Sequence, residues 1–220
     1  MKTQFFNRTE AGQILAENLS NYANREGVVV LALPRGGVPV AAEVARRLNV
    51  PLDVFVVRKL GLPGHPELAM GAIASGGVRV FNGKVVNALR IPDEVIDAVS
   101  AQELIELQRR EKAYRAGLSP LDVEGKTVIV VDDGIATGST MLAAVSALRQ
   151  LNAARIVVAA PVVAASTFSE MQRAADEVAA VMVPEHFYAV GQWYEDFSQT
   201  SDEEVRELLA QAARRQPVEA

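Results

Sequence analysis

The sequence predicts an α/β fold built on an open, mainly parallel, twisted sheet with helices on both faces. Two observations carry that expectation. Short aliphatic runs without alternation, VVVLAL (28–33) and TVIVV (127–131), have the pattern of strands buried on both faces. Each run is followed by a glycine-bearing loop and then by apolar residues at helical spacing, and this order recurs along the chain.

Taken in order, residues 8–25 place Ala11, Ile14, Leu15, Leu19 and Tyr22 on one helical stripe. The run 28–33 is the first strand; Pro34-Arg35-Gly36-Gly37 breaks it, and VPVAAEVARRL resumes helical spacing. PLDVFVVRK (51–59) reads as a second buried strand, so 28–58 predicts a strand–helix–strand unit with parallel strands. Residues 59–125 break the rhythm and are expected to be an insertion. In it GLPGHPE reads as a mobile loop, AMGAIASGGVRVFNG as a hairpin turning at Gly76-Gly77, and 92–117 as a long helix capped by Asp93. The alternation resumes with a strand (127–131), the loop DDGIATGST, a helix MLAAVSALRQL and a strand RIVVAAPVV (155–163). A helix at about 166–176, a strand VAAVMV (178–183) and a terminal helix follow, the last started by the capping box Ser201-Asp202-Glu203-Glu204. No internal repeat is visible, and residues 1–220 are expected to form one domain with a C-terminal hood at about 184–201.

Composition removes several functions. Half of the 220 residues are hydrophobic, which supports a packed core and argues against wholesale disorder. The 22 basic and 27 acidic residues leave a net charge of −5 with no dense Lys/Arg stripe, so no nucleic-acid partner is expected. Without cysteine, disulfides, thiolate metal sites and a cysteine nucleophile are excluded. No apolar signal core or bilayer-length apolar run occurs, and the expectation is a soluble, cytoplasmic protein with no membrane partner.

In such a sheet, ligands bind beyond the carboxyl ends of the strands. Three segments are expected there: residues 34–37, Arg58-Lys59 with the chain that follows, and residues 132–140. In the last, Gly134 and Gly138 allow tight turning, and the loop feeds a helix N-terminus where unpaired N–H groups favour an anion. Thr137, Ser139 and Thr140 add hydroxyl donors. The loop lacks a Walker lysine and the chain has no GxGxxG, so ATP cradling and dinucleotide binding fit poorly. Asp132 and Asp133 suit vicinal hydroxyls, from which carboxylates accept hydrogen bonds. A sugar phosphate satisfies both halves of the loop.

The string Asp132-Asp133-Gly134-Ile135-Ala136-Thr137-Gly138-Ser139-Thr140 resembles the signature by which type I phosphoribosyltransferases bind phosphoribosyl pyrophosphate (PRPP), and the resemblance extends over most of the chain. It implies the type I phosphoribosyltransferase fold. It also implies a transferase, a pentosyltransferase of nucleotide salvage, that passes the 5-phosphoribosyl group from PRPP to a nitrogenous acceptor such as a purine or pyrimidine base and releases pyrophosphate. On this resemblance Asp132 and Asp133 hold the ribose hydroxyls, and Ala136, Thr137, Gly138, Ser139 and Thr140 cradle the 5′-phosphate. Arg35, Gly36 and Gly37 contact pyrophosphate in a loop that often contains a cis peptide. Arg58 and Lys59 resemble the start of the flexible catalytic loop and, with Asp133, are the implied catalytic residues. Mg²⁺ arrives on PRPP, with no direct protein ligand and with Asp132 and Asp133 reaching it through water. The fold is frequently oligomeric, so a homodimer is compatible.

The acceptor stays open. The Arg-Gly-Gly loop is most similar to that of xanthine-guanine phosphoribosyltransferases. Hypoxanthine-guanine enzymes, however, commonly carry an acid where this chain has Ala136, as adenine and uracil enzymes do not. In the hood, Phe187, Trp193 and Tyr194 are placed either to stack on a base or to pack the hood onto the sheet, with Tyr188 beside them and Glu195 or Asp196 to read an amino group. Arg109, Arg110 and Arg115 read as a solvated helix face, and no role is assigned to His65 or Glu67. The insertion either covers the site or makes a dimer contact. Besides the enzyme, two readings compete: a catalytically silent PRPP- or nucleotide-sensing regulator of the same fold, and an unrelated phosphosugar-binding domain.

Overall fold

The computed structural model describes residues 4–115 and 121–215. The chain begins α1 (Arg8–Asn18), β1 (Val28–Ala32), α2 (Gly37–Leu48) and β2 (Leu52–Val54). An antiparallel block follows: β3 (Val57–Leu62), β4 (His65–Ala74) and β5 (Val78–Phe81), then α3 (Gly83–Leu89) and α4 (Asp93–Tyr114). The alternation resumes with β6 (Thr127–Val131), α5 (Ser139–Gln150), β7 (Arg155–Val162), α6 (Ala165–Ala174), β8 (Glu177–Met182) and α7 (Asp202–Arg215). Five strands form a wholly parallel sheet in the order β2-β1-β6-β7-β8, and β3-β4-β5 form a separate sheet. This is the predicted α/β class.

The uninterrupted aliphatic runs are explained by two cores. Val30, Ala32, Ile129 and Val131 share one with Leu15, Val40 and Val44 of α1 and α2. Their neighbours Leu31, Val128, Val130 and Val158 share the other with Met141, Leu148 and Met171 of α5 and α6. Period-two alternation sends successive residues to opposite faces, and both faces are covered. Helices α1 and α2 meet at Gly12, where an added Cβ would lie 2.6 Å from the Val40 carbonyl oxygen.

Several boundaries differ from the sequence reading. The predicted strand 51–59 is two: β2 stops at Val54, and the chain leaves the parallel sheet through Phe55-Val56 to begin β3. The turn is secured by Ser75, whose Oγ accepts from Val56 N–H at 2.9 Å while Ser75 N–H donates to the Val56 carbonyl at 2.9 Å. GLPGHPE is the tip of a hairpin, with β3 ending at Leu62 and β4 beginning at His65. The turn at Gly76-Gly77 is present, both residues having positive φ. Helix α3, unforeseen, follows Asn82, whose side chain accepts from Val85 N–H. Asp93 is the first helical residue of α4 rather than its cap, and Pro92 precedes it with no side-chain bond. The expected end of this helix, 116–117, lies outside the described residues. The first helix stops at Asn18, and Ser20–Tyr22 continue as a 3₁₀ turn. Ser201 Oγ accepts from Glu204 N–H at 3.0 Å, as the capping box requires.

Arg115 departs from the solvated face expected for it. It grips Asp53 of β2 through two nitrogens, Nε to Oδ1 at 2.9 Å and Nη2 to Oδ2 at 2.8 Å. Arg109 and Arg110 do lie on an exposed face, both paired to Glu106, whose carboxyl they lower to about 2. Among the described residues no helix is long and apolar enough to cross a membrane.

Candidate functional site

The winding of the parallel sheet reverses between β1 and β6, since β2 lies on one side of this pair and β7 and β8 on the other. A crevice opens at the carboxyl ends of strands at such a point. Residues 33–37 and 132–138 are its two walls. Leu33 N–H still bonds the Val131 carbonyl at 2.9 Å, so the walls diverge only where the motifs begin.

The loops press together closely. The Pro34–Arg35 peptide is cis. Gly36 abuts the carboxylate of Asp133, and a Cβ there would overlap Oδ2; at Gly37 a Cβ would lie 2.6 Å from the Val131 carbonyl oxygen. Both glycines are therefore required by approach rather than by dihedral freedom. Arg35 extends to Asp202 at the start of α7, 3.7 Å away, and Asp202 Oδ1 also accepts from the Tyr114 hydroxyl at 2.7 Å. Burial and the Asp202 carboxylate push the Tyr114 phenol up to about 12.

Asp132 and Asp133 stand at the mouth of β6. Asp133 is 9 % exposed, and its N–H donates to Asp132 Oδ1 at 2.9 Å. Burial raises the pKa of both. For Asp132 the adjacent Asp133 charge adds to the effect, while for Asp133 the nearby Arg8 guanidinium opposes it.

Beyond the acids, Gly138 has φ +72°, and a Cβ there would sit 2.6 Å from both Met171 Cε and Thr167 Cγ2. Thr167 Oγ1 holds the Ala136 carbonyl. These contacts shape the turn into α5, where the first intrahelical bond runs from Leu142 N–H to the Gly138 carbonyl at 2.8 Å. The N–H groups of Ser139, Thr140 and Met141 find no acceptor among the described residues. With the exposed Thr137 and Ser139 hydroxyls, 3.4 Å apart, they form an open nest for an anion.

Arg58 and Lys59 lie elsewhere than expected. They are inside β3 of the antiparallel sheet, opposite Ile73 and Ala72, and not at the end of a parallel strand. Arg58 is bound to Glu103 of α4 at 2.7 Å, and Lys59 is exposed.

The hood is a two-part structure, and sequence reasoning found one part. Residues 4–6 pair with 192–196: Phe5 N–H donates to Trp193 O, Glu195 N–H to Phe5 O and Asp196 N–H to Phe6 O, each at 2.8 Å. Tyr194 is 3 % exposed, packs against Phe5 and Phe197, and donates its hydroxyl to the Asp133 carbonyl. Its ring is thus not open to a base, and of the two expectations for it the structure takes packing; burial beside the acids raises its pKa. Phe187 and Trp193 are half-buried against one another, ring centroids 6.1 Å apart, and Trp193 Nε1 is buried without a partner. Tyr188 is 88 % exposed. The missed residue is Arg8, whose Nε donates to Asp133 Oδ2 at 2.8 Å. An arginine opening a helix gives no sequence signal for a partner 125 positions away.

Among the described residues no cluster of three His, Cys, Asp or Glu could hold a metal ion. Two adjacent carboxylates are a hard-oxygen set suited to a Mg²⁺ that brings most of its own ligands.

Known proteins with similar sequences agree with this arrangement. The phosphoribosyl transferase domain family matches residues 6–67 and 67–195. A Mycobacterium tuberculosis protein named "Putative phosphoribosyl transferase" is 47 % identical over 210 residues, covering 96 % of this chain and 47 % of that protein, so the chain spans about half the length of its curated relatives. A solved Thermus thermophilus protein is 41 % identical with a TM-score of 0.85, covering 94 % of this chain and 98 % of that one. A solved Aquifex aeolicus protein shares the fold at 13 % identity, TM-score 0.50, covering 84 % of this chain and 78 % of its own. A ribose-phosphate pyrophosphokinase of Pyrococcus furiosus is 44 % identical over 61 residues, which cover 27 % of this chain and 22 % of the kinase. With the family match running through both walls of the crevice, the chain belongs to the phosphoribosyl transferase domain family.

Proposed function

We propose that the protein transfers the 5-phosphoribosyl group of PRPP to a nitrogenous acceptor, a purine or pyrimidine base or another amine, and releases pyrophosphate. The observation that carries this reading is the meeting of Asp132-Asp133, the open N–H nest of α5 and the close-packed Gly36-Gly37 at one crevice. In it the acids take the ribose diol, residues 136–140 the 5′-phosphate, and Arg35, Gly36 and Gly37 the pyrophosphate. The acceptor nitrogen forms a bond to ribose C1 as the C1–oxygen bond breaks; the electron pair leaves with pyrophosphate and the acceptor gives up its proton. Asp132 and Asp133 would hold, through water, a Mg²⁺ brought by PRPP, and that ion would supply charge neutralisation for the leaving pyrophosphate. Arg58 and Lys59 add charge if the β3–β4 hairpin moves toward the crevice, and such closure excludes water. Phe187 and Trp193 remain the hood aromatics for the acceptor.

A PRPP sensor without turnover is the second reading, favoured by the ties of Arg35 to Asp202 and of Arg58 to Glu103. Incubating the protein with Mg-PRPP and a panel of bases and small amines, and measuring pyrophosphate release, tests both. Acceptor-dependent release supports the transferase. PRPP binding without release from any acceptor supports the sensor, and absence of PRPP binding removes both.

A further inference from the structure

Arg8 touches three things at once. Its Nε donates to Asp133 Oδ2 at 2.8 Å, its Nη1 donates to the Ser198 carbonyl at 2.8 Å, and its guanidinium carbon lies 3.9 Å from the centre of the Phe197 ring. The side chains of Arg8 and Asp133 are 11 % and 12 % exposed, so the pair is largely withdrawn from water, where charge pairing is strong and geometry is fixed. Tyr194, stacked on Phe197, reaches the same aspartate through its backbone carbonyl. On the other side Gly36 closes against Oδ2. Asp133 is therefore held between the pyrophosphate-side loop and the hood, with Oδ2 already committed.

We infer that Arg8 is a positioning residue that fixes Asp133 for the sugar and ties the hood to the PRPP site, leaving Asp132 as the carboxyl that exchanges partners when the ribose diol arrives. The inference rests on the assignment of the acid pair to the diol. The guanidinium is suited to this task because its planar fork donates in two directions while its face covers an aromatic ring; an ammonium cannot do all three. The bulk of the hood follows the clamp. Phe197 and Ser198 are its direct contacts, and residues 193–196 are paired to the segment that leads into Arg8. Occupancy of the sugar site is thereby felt at the acceptor side through Arg8, alongside the Tyr194 hydroxyl on the Asp133 carbonyl. Removing Arg8 takes away the partner of Oδ2 on a largely buried carboxylate, so Asp133 loses its fixed orientation toward the diol. Arg8 borders a polar cavity of about 120 Å³ lined also by Asn7, Pro39, Asp196 and Ser198, which gives water a place to enter.

Trp193 is the sole tryptophan and lies in the hood, so its fluorescence reads the hood alone. Wild type, Arg8→Lys and Arg8→Gln are compared by calorimetric titration with Mg-PRPP and by acrylamide quenching of Trp193, with and without Mg-PRPP. The expected result is PRPP affinity at least about 10-fold weaker in Arg8→Gln and partly restored in Arg8→Lys. Quenching of free Arg8→Gln is greater than wild type, and saturating PRPP protects Trp193 in wild type but not in Arg8→Gln. A packing role alone would raise quenching and leave PRPP affinity unchanged, which overturns the inference, as does wild-type behaviour in both measurements. Should Arg8→Gln not fold, Arg8→Lys decides: wild-type affinity and quenching there overturn the clamp. If wild type itself binds no PRPP, the ribose assignment falls. The tether is then judged in the free protein, upheld by raised quenching in Arg8→Gln and overturned by its absence.

Discussion

The hood and the antiparallel block are both additions to the parallel sheet, yet they are attached in opposite ways. The hood is joined at the chemistry: residues 4–6 pair with 192–196, and Arg8 and Tyr194 both end on Asp133. The block is joined by packing, with β3, β4 and β5 lying on α5 and with α4 against β3 and β4. Of its cations, Arg58 is bound to Glu103 and Lys59 is in solvent. The difference separates two tasks. On the proposed function, a region bonded to Asp133 governs whether the sugar is held, whereas a region whose cations reach the crevice only by moving governs how fast the leaving group departs.

The largest effect is expected from the block. If the proposed hairpin closure brings these cations to the leaving group, Arg58→Ala with Lys59→Ala should lower kcat by about 100-fold or more while PRPP affinity changes by less than about threefold. An equal loss in Kd and kcat, measured by calorimetry and pyrophosphate release, would erase the distinction between the regions.

Next in size is Gly36→Val. Its Cβ overlaps Asp133 Oδ2 and displaces the acid from both Arg8 and the diol, costing PRPP affinity by about 100-fold, the scale of an ångström-sized misplacement. Gly83→Val, at a position with open space around its Cβ, is the control and should bind as wild type.

Asp132→Asn sharpens the electrostatics of the same floor. Burial and the Asp133 charge raise the folded-state pKa of Asp132 above its unfolded value. Below the usual carboxylate range both states are protonated and no cost arises. As pH rises from that range through the folded pKa, the unfolded chain ionises first and folded stability falls. Asparagine removes this cost, so the variant should gain on the order of 1 kcal/mol at neutral pH, a gain that vanishes in acid and is read by thermal melting. PRPP affinity of the wild type should rise with pH over the same window, because the diol needs an ionised acceptor. Stability of Asp132→Asn independent of pH relative to wild type would contradict the half-buried, raised carboxyl.

The smallest effect is expected from Trp193→Ala. Its ring lies against Phe187 and outside the Arg8 contact, so acceptor KM should rise by about threefold with PRPP Kd unchanged. Equal changes in both would show that the whole hood, and not the Arg8 clamp alone, acts on the sugar site.

The parts of this account that the sequence makes legible are those encoded locally. Runs such as TVIVV can be buried on both faces in only a few ways, and the acids, glycines and hydroxyls of 132–140 lie on one continuous loop at a strand end. What it hides depends on contacts between distant segments. Nothing in PLDVFVVRK says that the chain changes sheets at Phe55-Val56, because the cause is Ser75, in another hairpin. Whether Tyr194 stacks on a base or packs the hood is decided only by Phe5 and Phe197 around it. Arg8 and Arg115 are ordinary surface arginines in the sequence, and each has its carboxylate on a remote element.

The most direct test of the central claim is calorimetric titration of Mg-PRPP into wild type and into the Asp132→Ala, Asp133→Ala double variant. Saturable binding to wild type and none to the double variant is expected, and the double variant should remain folded by circular dichroism. Retained affinity in the folded double variant would contradict the assignment of these two acids to the ribose.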